Sequence, residues 1–590
     1  MIRNLIRYGA LAGVMVGLGA CDLDVQNPND PETERVLASP LDAESLLGSY
    51  YRRWHAGLYT GTGNINGIAG VMSLENYSSL ANNGLNARAG IPRPANDNNI
   101  SNVANGEQQR VYYIMGEVTR VATNILNATT ETSFSIGASE ARKLRMQAFA
   151  EFLRGVSLGY VALFYDSAGV VSAEMAGDDP GALVGYNEVM DSALVALDRA
   201  IVHTNASLAA TGTDGFPIPQ DWIPTTSTLL DGPGFVQLIR SYKARLRANV
   251  ARTPAERAAV NWTEVIADAT NGITEDHNNI TSTTQGPFYS WMQNWQSRGL
   301  WHQMSPFFIG MGDDQSSNYE TWIALPLGDR PGGFFFVSSD LRFPQGATRA
   351  AQQADFLYTS CDAGSTTCER YFVNRPANED QTAGLSWGQS NYDWIRARSW
   401  AVNGDGSGAR NGPITFMTKA EMDLLAAEGY IRAGNLASAA PLINNTRTAG
   451  IVGGVATGGG LLAVSATATG GITAVGGTTE CIPEVPINAS NTGGGTVVCA
   501  GDAPGTNRGI FEAMKYEKRM ETAYTHFAAW YLDHRGWGDM PEGTPLQWAT
   551  PYQDLQARQL PIYSIGGAGS GAPVCPGAGC QAHGPSTYGW

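Results

Sequence analysis

The stretch FMTKAEMDLLAAEGYIRAGNLASAAPLINNTRTAG, residues 416–450, decides the fold. Thr418 and Glu421 stand at the spacing of a capping box, in which a hydroxyl and a carboxylate satisfy the first orphan amides of a helix. Gly434-Asn435 supplies turn chemistry, and Gly450 supplies a C-terminal stop. The spacing predicts two antiparallel helices within about 34 residues, the size of a tetratricopeptide unit. The internal pattern of that repeat does not recur along the chain, so the expectation is helix pairs and not a consensus array.

The same periodicity spreads outward. Leu144, Ala148, Phe149, Phe152, Val156, Tyr160 and Leu163 recur at three- and four-residue steps, which predicts one helix over about 139–165 with a single apolar stripe. Ala150, Gly155 and Gly159 add small residues that permit close helix approach. Ser39, Pro40 and Asp42 signal a helix start running to about Trp54. Further helices fit 107–128, 186–204, 234–251, 255–271 and 510–533. Residues 60–104 read as loop, and 272–415 as a mixed segment with short strand-like runs. Residues 450–509 hold 16 Gly in 60 positions and read as a loosely packed insertion. The expected organisation is therefore 1–20 signal, 21–38 tether, 39–271 helical part, 272–415 irregular part, 416–449 helix pair, 450–509 insertion and 510–590 C-terminal segment.

Composition bounds the function. The 590 residues include 43% apolar and 16% charged, enough apolar material for a large core. The net charge is −16, and without Arg3 and Arg7 of the N-terminal segment it is −18. Such a surface repels phosphate backbones, so nucleic acid is not an expected partner. Five of the 38 basic residues are Lys; this follows biased codon usage more simply than selection for bidentate contacts. The N-terminus MIRNLIRYGALAGVMVGLGAC pairs two arginines with an apolar run too short to span a bilayer, as in an export signal. Its end, Leu18-Gly19-Ala20-Cys21, resembles the bacterial lipobox, which implies that Cys21 becomes the lipidated first residue and an anchor to membrane lipid. Six further cysteines form three sequence-local pairs, Cys361 with Cys368, Cys481 with Cys499, and Cys575 with Cys580. In an exported chain these are expected disulfides. Their spacing lacks the C-x-x-C of zinc sites, and no metal or cofactor is expected.

Several separate pieces resemble the RagB/SusD outer-membrane lipoproteins. After the Asn/Asp/Pro tether, Asp42, Leu46, Leu47, Gly48, Tyr50 and Trp54 are similar to the first family helix. Glu140-Ala141-Arg142 with Leu144-Arg145 is similar to the second, and Ala244-Arg245 with Leu246 and Trp262 to another. The family's A-E-G…A-x-x-x-I-N-x-x-R stands as Ala427-Glu428-Gly429, then Ala440, Ile443, Asn444 and Arg447. Its E-x-R-x-E-x-A stands as Glu517, Arg519, Glu521 and Ala523, continuing to Asp533, Arg535, Trp537 and Gly538. The E-G-x-R portion is absent, replaced by Thr525-His526-Phe527-Ala528. The resemblance implies a mainly α, tetratricopeptide-like superhelix with long loops. It also implies a place on the cell outer membrane and a SusC-like TonB-dependent transporter as partner. By the same likeness the chain captures oligosaccharides or peptides and performs no catalysis.

Candidate contacts come from the residues themselves. Seven of fourteen tryptophans lie in 287–400, among them Trp291, Trp295, Trp301, Trp322, Trp387, Trp394 and Trp400. Sugar rings lay C–H faces on aromatic planes while amides, carboxylates and guanidiniums bind hydroxyls. Phe288, Tyr289, Tyr319, Tyr392 and His302 extend the ring set, and Asn294, Gln296, Arg298, Gln303, Asp313, Asp314 and Asn318 add the polar groups. Filling the core of an irregular region is the competing use for such rings. Trp54, His55 and Tyr59, with the loop at Asn76-Tyr77, form a second candidate surface. Micromolar to millimolar affinity, about 4–8 kcal/mol, is expected of such contacts.

Enzyme motifs dissolve under inspection. Gly155-Val156-Ser157-Leu158-Gly159 fits G-x-S-x-G but lies in the most periodic helix, where helix packing explains it. Asn403, Asp405 and Ser407 echo a calcium loop whose twelfth position is Ile414 instead of Glu. His526 and His534 read as packed or surface imidazoles. A lipid-anchored hydrolase of the same polymers and a helical envelope-assembly scaffold remain the alternative functions.

Overall fold

The computed structural model describes Leu37, 39–59, 65–78, 85–91, 93–102, 106–131, 133–137, 139–172, 175, 179–210, 214–226, 230–281, 288, 302–355, 369–377, 386–396, 412–466, 480–487, 496–499, 508–525, 528–566 and 579–580. Cys21, Cys361, Cys368, Cys575, Trp291, Trp295, Trp301, Trp400 and His526 lie outside the described residues, as does the loop at Asn403.

Helices α1 (Pro40–Tyr59), α2 (Gly106–Thr130), α3 (Glu140–Phe164), α4 (Tyr186–Ala209), α5 (Gly232–Asn249) and α6 (Trp262–Thr270) each pack on the next in turn. Ser139 caps α3, accepting a hydrogen bond from the Arg142 amide, as its sequence signal requires. The small residues of the G-x-S-x-G stretch are contact points. A Cβ on Gly155 would lie 2.6 Å from the Leu197 side chain, and one on Gly159 would lie 2.6 Å from Leu246. Ser157 is buried within the helix, not exposed on a strand-to-helix elbow. The expected 255–271 helix is divided into Pro254–Ala259 and α6, because the Asn261 side chain accepts from the Glu264 amide and starts a new helix.

The stack continues across a large insertion. α6 packs on α7 (Lys419–Arg432), which packs on α8 (Leu436–Arg447) and on α9 (Arg508–Thr522). Thr418 accepts from the Glu421 amide, as its cap signal predicts, and Asn435, read as a turn residue, accepts from the Ser438 amide and caps α8. Between α6 and α7 the polypeptide departs along His277–Thr281 and returns along Gly412–Met417. These two strands pair antiparallel with Thr281 opposite Gly412, closing the insertion at its base. The expected single helix 510–533 is two, α9 and α10 (Ala529–Trp537). Tyr524 and Ala528 adopt φ of 53° and 54° between them, in the region where the family motif is missing.

Two cores result. Aliphatic and aromatic stripes of α1–α6 form the first. The second joins α7–α9 to the insertion, whose bulk comes from Phe307, Phe308, Phe334, Phe336, Phe343, Phe372 and Tyr392. Residues expected to be loosely packed contribute here too, since Ile482 and Val485 are fully buried. The 60–104 stretch, expected as loop, contains the helix Ile65–Met72 and the strand β1 (Asn76–Ser78).

Cysteine expectations need one correction. Cys580 is disulfide-bonded. Cys481 and Cys499, however, are thiols in this structure and not joined to one another. In the hairpin of Glu484–Ile487 with Thr496–Cys499, Cys499 stands opposite Glu484, three residues past Cys481. The register therefore does not set the two cysteines face to face.

Charges of the recurrent motifs are buried between helices. Arg245 of α5 pairs with Glu421 at 2.6 Å, and Arg257 pairs with Glu428 at 2.7 Å and Asp533 at 3.1 Å. Arg342 of the insertion meets Asp340, Glu517 and Glu521 at 2.7, 2.8 and 3.2 Å. Arg142 and Arg145 both hold Glu44 of α1, at 2.5 Å each. Burial pushes the Glu428 carboxyl up, but Arg257, Arg432 and Lys518 outweigh it and hold the group well below the usual range. Among the described residues no helix is long and apolar enough to cross a membrane.

Candidate ligand-binding site

Three of the expected contact rings belong to the core. Trp54 is 0% exposed, stacked on Tyr51 at 5.3 Å and edge-on to Tyr160 and Tyr242. Tyr77 is 1% exposed and meets Trp387 edge-on at 5.9 Å. Trp322 is 3% exposed, with Phe307 edge-on at 5.1 Å and the Arg330 guanidinium 4.8 Å above its ring. Trp387, Trp394, Tyr319 and Tyr392 are buried as well. The physical reason is that the described helices of the insertion are short, seven residues at most, so large rings supply its apolar volume.

The polar residues of the insertion are also engaged internally. Gln303 accepts from the Ser390 amide at 3.1 Å, and Asp313 accepts from the Tyr319 amide at 2.9 Å and from Ser316. Asp314 accepts from the Ser339 amide, and Asn318 donates to the Phe335 carbonyl. Asp313 takes a first-turn amide of the short helix Asn318–Ala324, and the other groups hold loops.

What the structure does bring together is the two candidate stretches. β1 pairs antiparallel with β3 (His302–Met304; β2 being His277–Thr281), with Tyr77 opposite Gln303 and Ser78 opposite His302. The segment carrying Trp291, Trp295 and Trp301 thus rejoins the described chain at a residue paired with Ser78, the residue from which the 79–84 segment departs. The turn Ser386–Gly388 packs beneath, so closely that a Cβ on Gly388 would lie 2.2 Å from the Tyr77 ring. Behind β1, Glu75 is buried; it accepts from the Tyr524 amide at 2.8 Å, and burial pushes its carboxyl up to about 8. This buried place carries little charge at neutral pH.

The other end of the same segment is Phe288. Its ring lies edge-on to His55 at 5.3 Å and borders a cavity of about 440 Å³ lined by Glu44, Ser45, Ser49, Arg52, Arg142, Asp221 and Trp222. Trp222 is held over α1 where Gly48 stands; a Cβ there would lie 2.1 Å from the indole Nε1. The Arg145 guanidinium lies 5.3 Å from the same ring. Burial pushes the His55 imidazole down to about 3, so it packs as a neutral ring. Rings, hydroxyls, carboxylates and guanidiniums converge here in the mixture a hydroxylated ligand needs. Sequence reading missed Trp222, whose only signal was the invitingly small Gly48 two turns before Trp54. Among the described residues no group of three or more His, Cys, Asp or Glu is placed to hold a metal ion.

No family model matches the sequence, and no curated protein is significantly similar to it. Solved structures are similar in fold. A SusD superfamily protein from Parabacteroides distasonis superposes with a TM-score of 0.52 at 8% identity, covering 88% of this chain and 98% of that one. SusD superfamily proteins from Bacteroides vulgatus and Bacteroides fragilis give TM-scores of 0.49 and 0.48 at 12% and 11% identity. They cover 88% and 89% of this chain, and 90% and 100% of their own. The helix stack, the motif charges buried within it and the superposition lead to one statement: this chain has the fold of the SusD superfamily, a mainly α, helix-pair architecture.

Proposed function

We propose that this chain is a lipid-anchored capture protein of the outer membrane, which holds oligosaccharides, or peptides, and passes them to a SusC-like TonB-dependent transporter. The lipobox ending at Cys21, the polar tether after it and the fold support this reading. The observation that carries it is the β1–β3 ladder, in which His302, next in sequence after Trp301, pairs with Ser78. A ligand would lie across the rings of Trp291, Trp295 and Trp301, with the Phe288 cavity at the segment's other end. Stacking and a few hydrogen bonds confer modest affinity, about 4–8 kcal/mol, which suits a protein that must also release its cargo. Import energy would come from the transporter's partner system.

Affinity electrophoresis of the full chain against a panel of polysaccharides, with acyl labelling of Cys21 and of Cys21→Ser in the native host, tests the reading. Retarded migration on at least one polysaccharide, label on the wild-type chain alone and co-purification of a large barrel are expected. Uniform mobility on every polysaccharide, with peptides also failing to bind, contradicts capture; an unlabelled wild-type chain contradicts the anchor.

A further inference from the structure

A second cavity, of about 340 Å³, opens between α2, α3 and the short helix Tyr552–Ala557, and shares no lining residue with the one at Phe288. Its floor is apolar, made by Leu158 and Val161 of α3 with Val171. The polar groups around it already have partners within the fold. Asp554 accepts from the Tyr112 hydroxyl at 3.0 Å and from Arg558 Nε at 2.9 Å; Glu117 accepts from Tyr50 at 3.4 Å and from Arg53 at 2.6 Å. Arg120 donates to the Asp179 carbonyl, and Arg558 to those of Gly181 and Pro180. An occupant therefore meets the apolar floor, the Tyr113 ring and the side chains of two arginines. An aromatic ring suits that set, because it buries apolar area and is stabilised by a cation against its face. Gly116 of α2 leaves room for one, since a Cβ there would meet no heavy atom within 4 Å.

The surface around the opening is apolar too. Ten large apolar side chains are exposed among the described residues, and four of them, Ile100, Tyr113, Leu560 and Tyr563, belong to the elements gathered here. Asn98 ties these elements together, accepting from the Tyr552 amide at 3.0 Å and donating to the Tyr563 carbonyl at 3.1 Å. An apolar patch of this kind marks a contact surface.

Rings that fit it lie close along the chain. Disulfide-bonded Cys580 stands opposite Pro545, and Gly579 accepts from the Leu546 amide at 3.1 Å. The stretch 546–550 then runs beside the end of α3, where Trp548 donates to the Phe164 carbonyl at 2.7 Å and Thr550 to that of Ser167 at 2.9 Å. Tyr552, at the start of the helix that walls the cavity, follows Pro545 by seven residues, at most about 25 Å. The ten residues 581–590, outside the described residues, reach about 35 Å at full extension. Their sequence, QAHGPSTYGW, has no acid, Lys or Arg and carries two rings at its far end, Tyr588 and Trp590.

We infer that residues 581–590 dock on this surface of their own chain, with the Trp590 indole in the cavity and the Tyr588 ring on the apolar rim. The segment has no strong charge to offer and the surface has none to spare, so apolar burial drives the contact and salt leaves it unchanged. This docking is independent of cargo capture.

The test places p-benzoyl-L-phenylalanine at position 588 of the full chain and maps the photo-induced cross-link by mass spectrometry. Attachment within one chain to 112–120 or 552–563 is expected, and its loss when Trp590→Ala or Gly116→Leu is added. Hydrogen exchange gives a second readout without a label. Amides of Tyr552–Arg558 are expected to exchange about tenfold faster in Trp590→Ala than in wild type, because an occupied cavity holds that short helix down. Trp590 belongs to neither described core, and circular dichroism checks Gly116→Leu. Unchanged exchange in Trp590→Ala overturns the inference, and so does attachment elsewhere on the chain, to a second copy or to another protein.

Discussion

The helical stack and the insertion between Thr281 and Gly412 both bury apolar clusters, but they build them by different means. In the stack, period-3.6 stripes meet across glycines, and arginine–carboxylate pairs tie one helix to another, as Arg245 does to Glu421 and Arg257 to Glu428. In the insertion the strands are three residues long, Phe372–Asn374 with Tyr392–Trp394 being one pair, and aromatic rings supply the volume. Arg330 there donates to the carbonyls of Ile323 and Leu325, satisfying the C-terminal end of the short helix Asn318–Ala324. The lesson is that a charge motif and a tryptophan cluster can both be architecture.

Substitutions can break this comparison. Arg342→Ala strands three carboxylates, Asp340, Glu517 and Glu521, at the seam between stack and insertion. A loss of about 5 kcal/mol in denaturant unfolding is expected, the upper end for a broken buried pair; a loss below 1 kcal/mol would mean that the seam is solvated. Trp322→Ala empties the centre of the insertion core and is expected to cost about 4 kcal/mol while leaving ligand affinity intact. Undiminished stability with lost binding would return Trp322 to the list of contact rings.

Glu75 gives a pH signature. Burial lifts its carboxyl from about 4.5 to about 8. Below pH 4.5 both folded and unfolded states are protonated; between 4.5 and 8 the unfolded chain ionises first, so stability falls as pH rises through that window. Glu75→Gln does not titrate, and its unfolding free energy is expected to gain on wild type by about 4 kcal/mol between pH 4.5 and 8. A constant difference across that range would show that the carboxyl reaches water. Gly159→Ala has the smallest effect, about 2 kcal/mol, because its Cβ would press the Leu246 side chain, which can turn away only in part.

Much of the stack was legible in the residues. Thr418 caps where its spacing said, the helix expected from about Ser139 begins there, and Gly155 with Gly159 packs helices as their size suggested. The breaks were not legible. Asn261 restarts a helix inside a continuous periodic run, and Tyr524 and Ala528 take left-handed backbone with no glycine to announce it. The site was half legible: composition pointed to the insertion, but burial is a property of contacts far apart in sequence. Tyr77 against Trp387 and Trp54 against Tyr242 have no local signature, and so these rings read as surface. The pairing of Ser78 with His302, 224 positions apart, was equally invisible.

The most direct measurement is the dissociation constant of the full chain for the polysaccharide it retains, compared with that of the Trp291, Trp295 and Trp301 triple alanine variant. The account predicts a loss of at least about tenfold in affinity with an unchanged unfolding midpoint. An unchanged constant, or a loss that appears only together with a lowered midpoint, would contradict it.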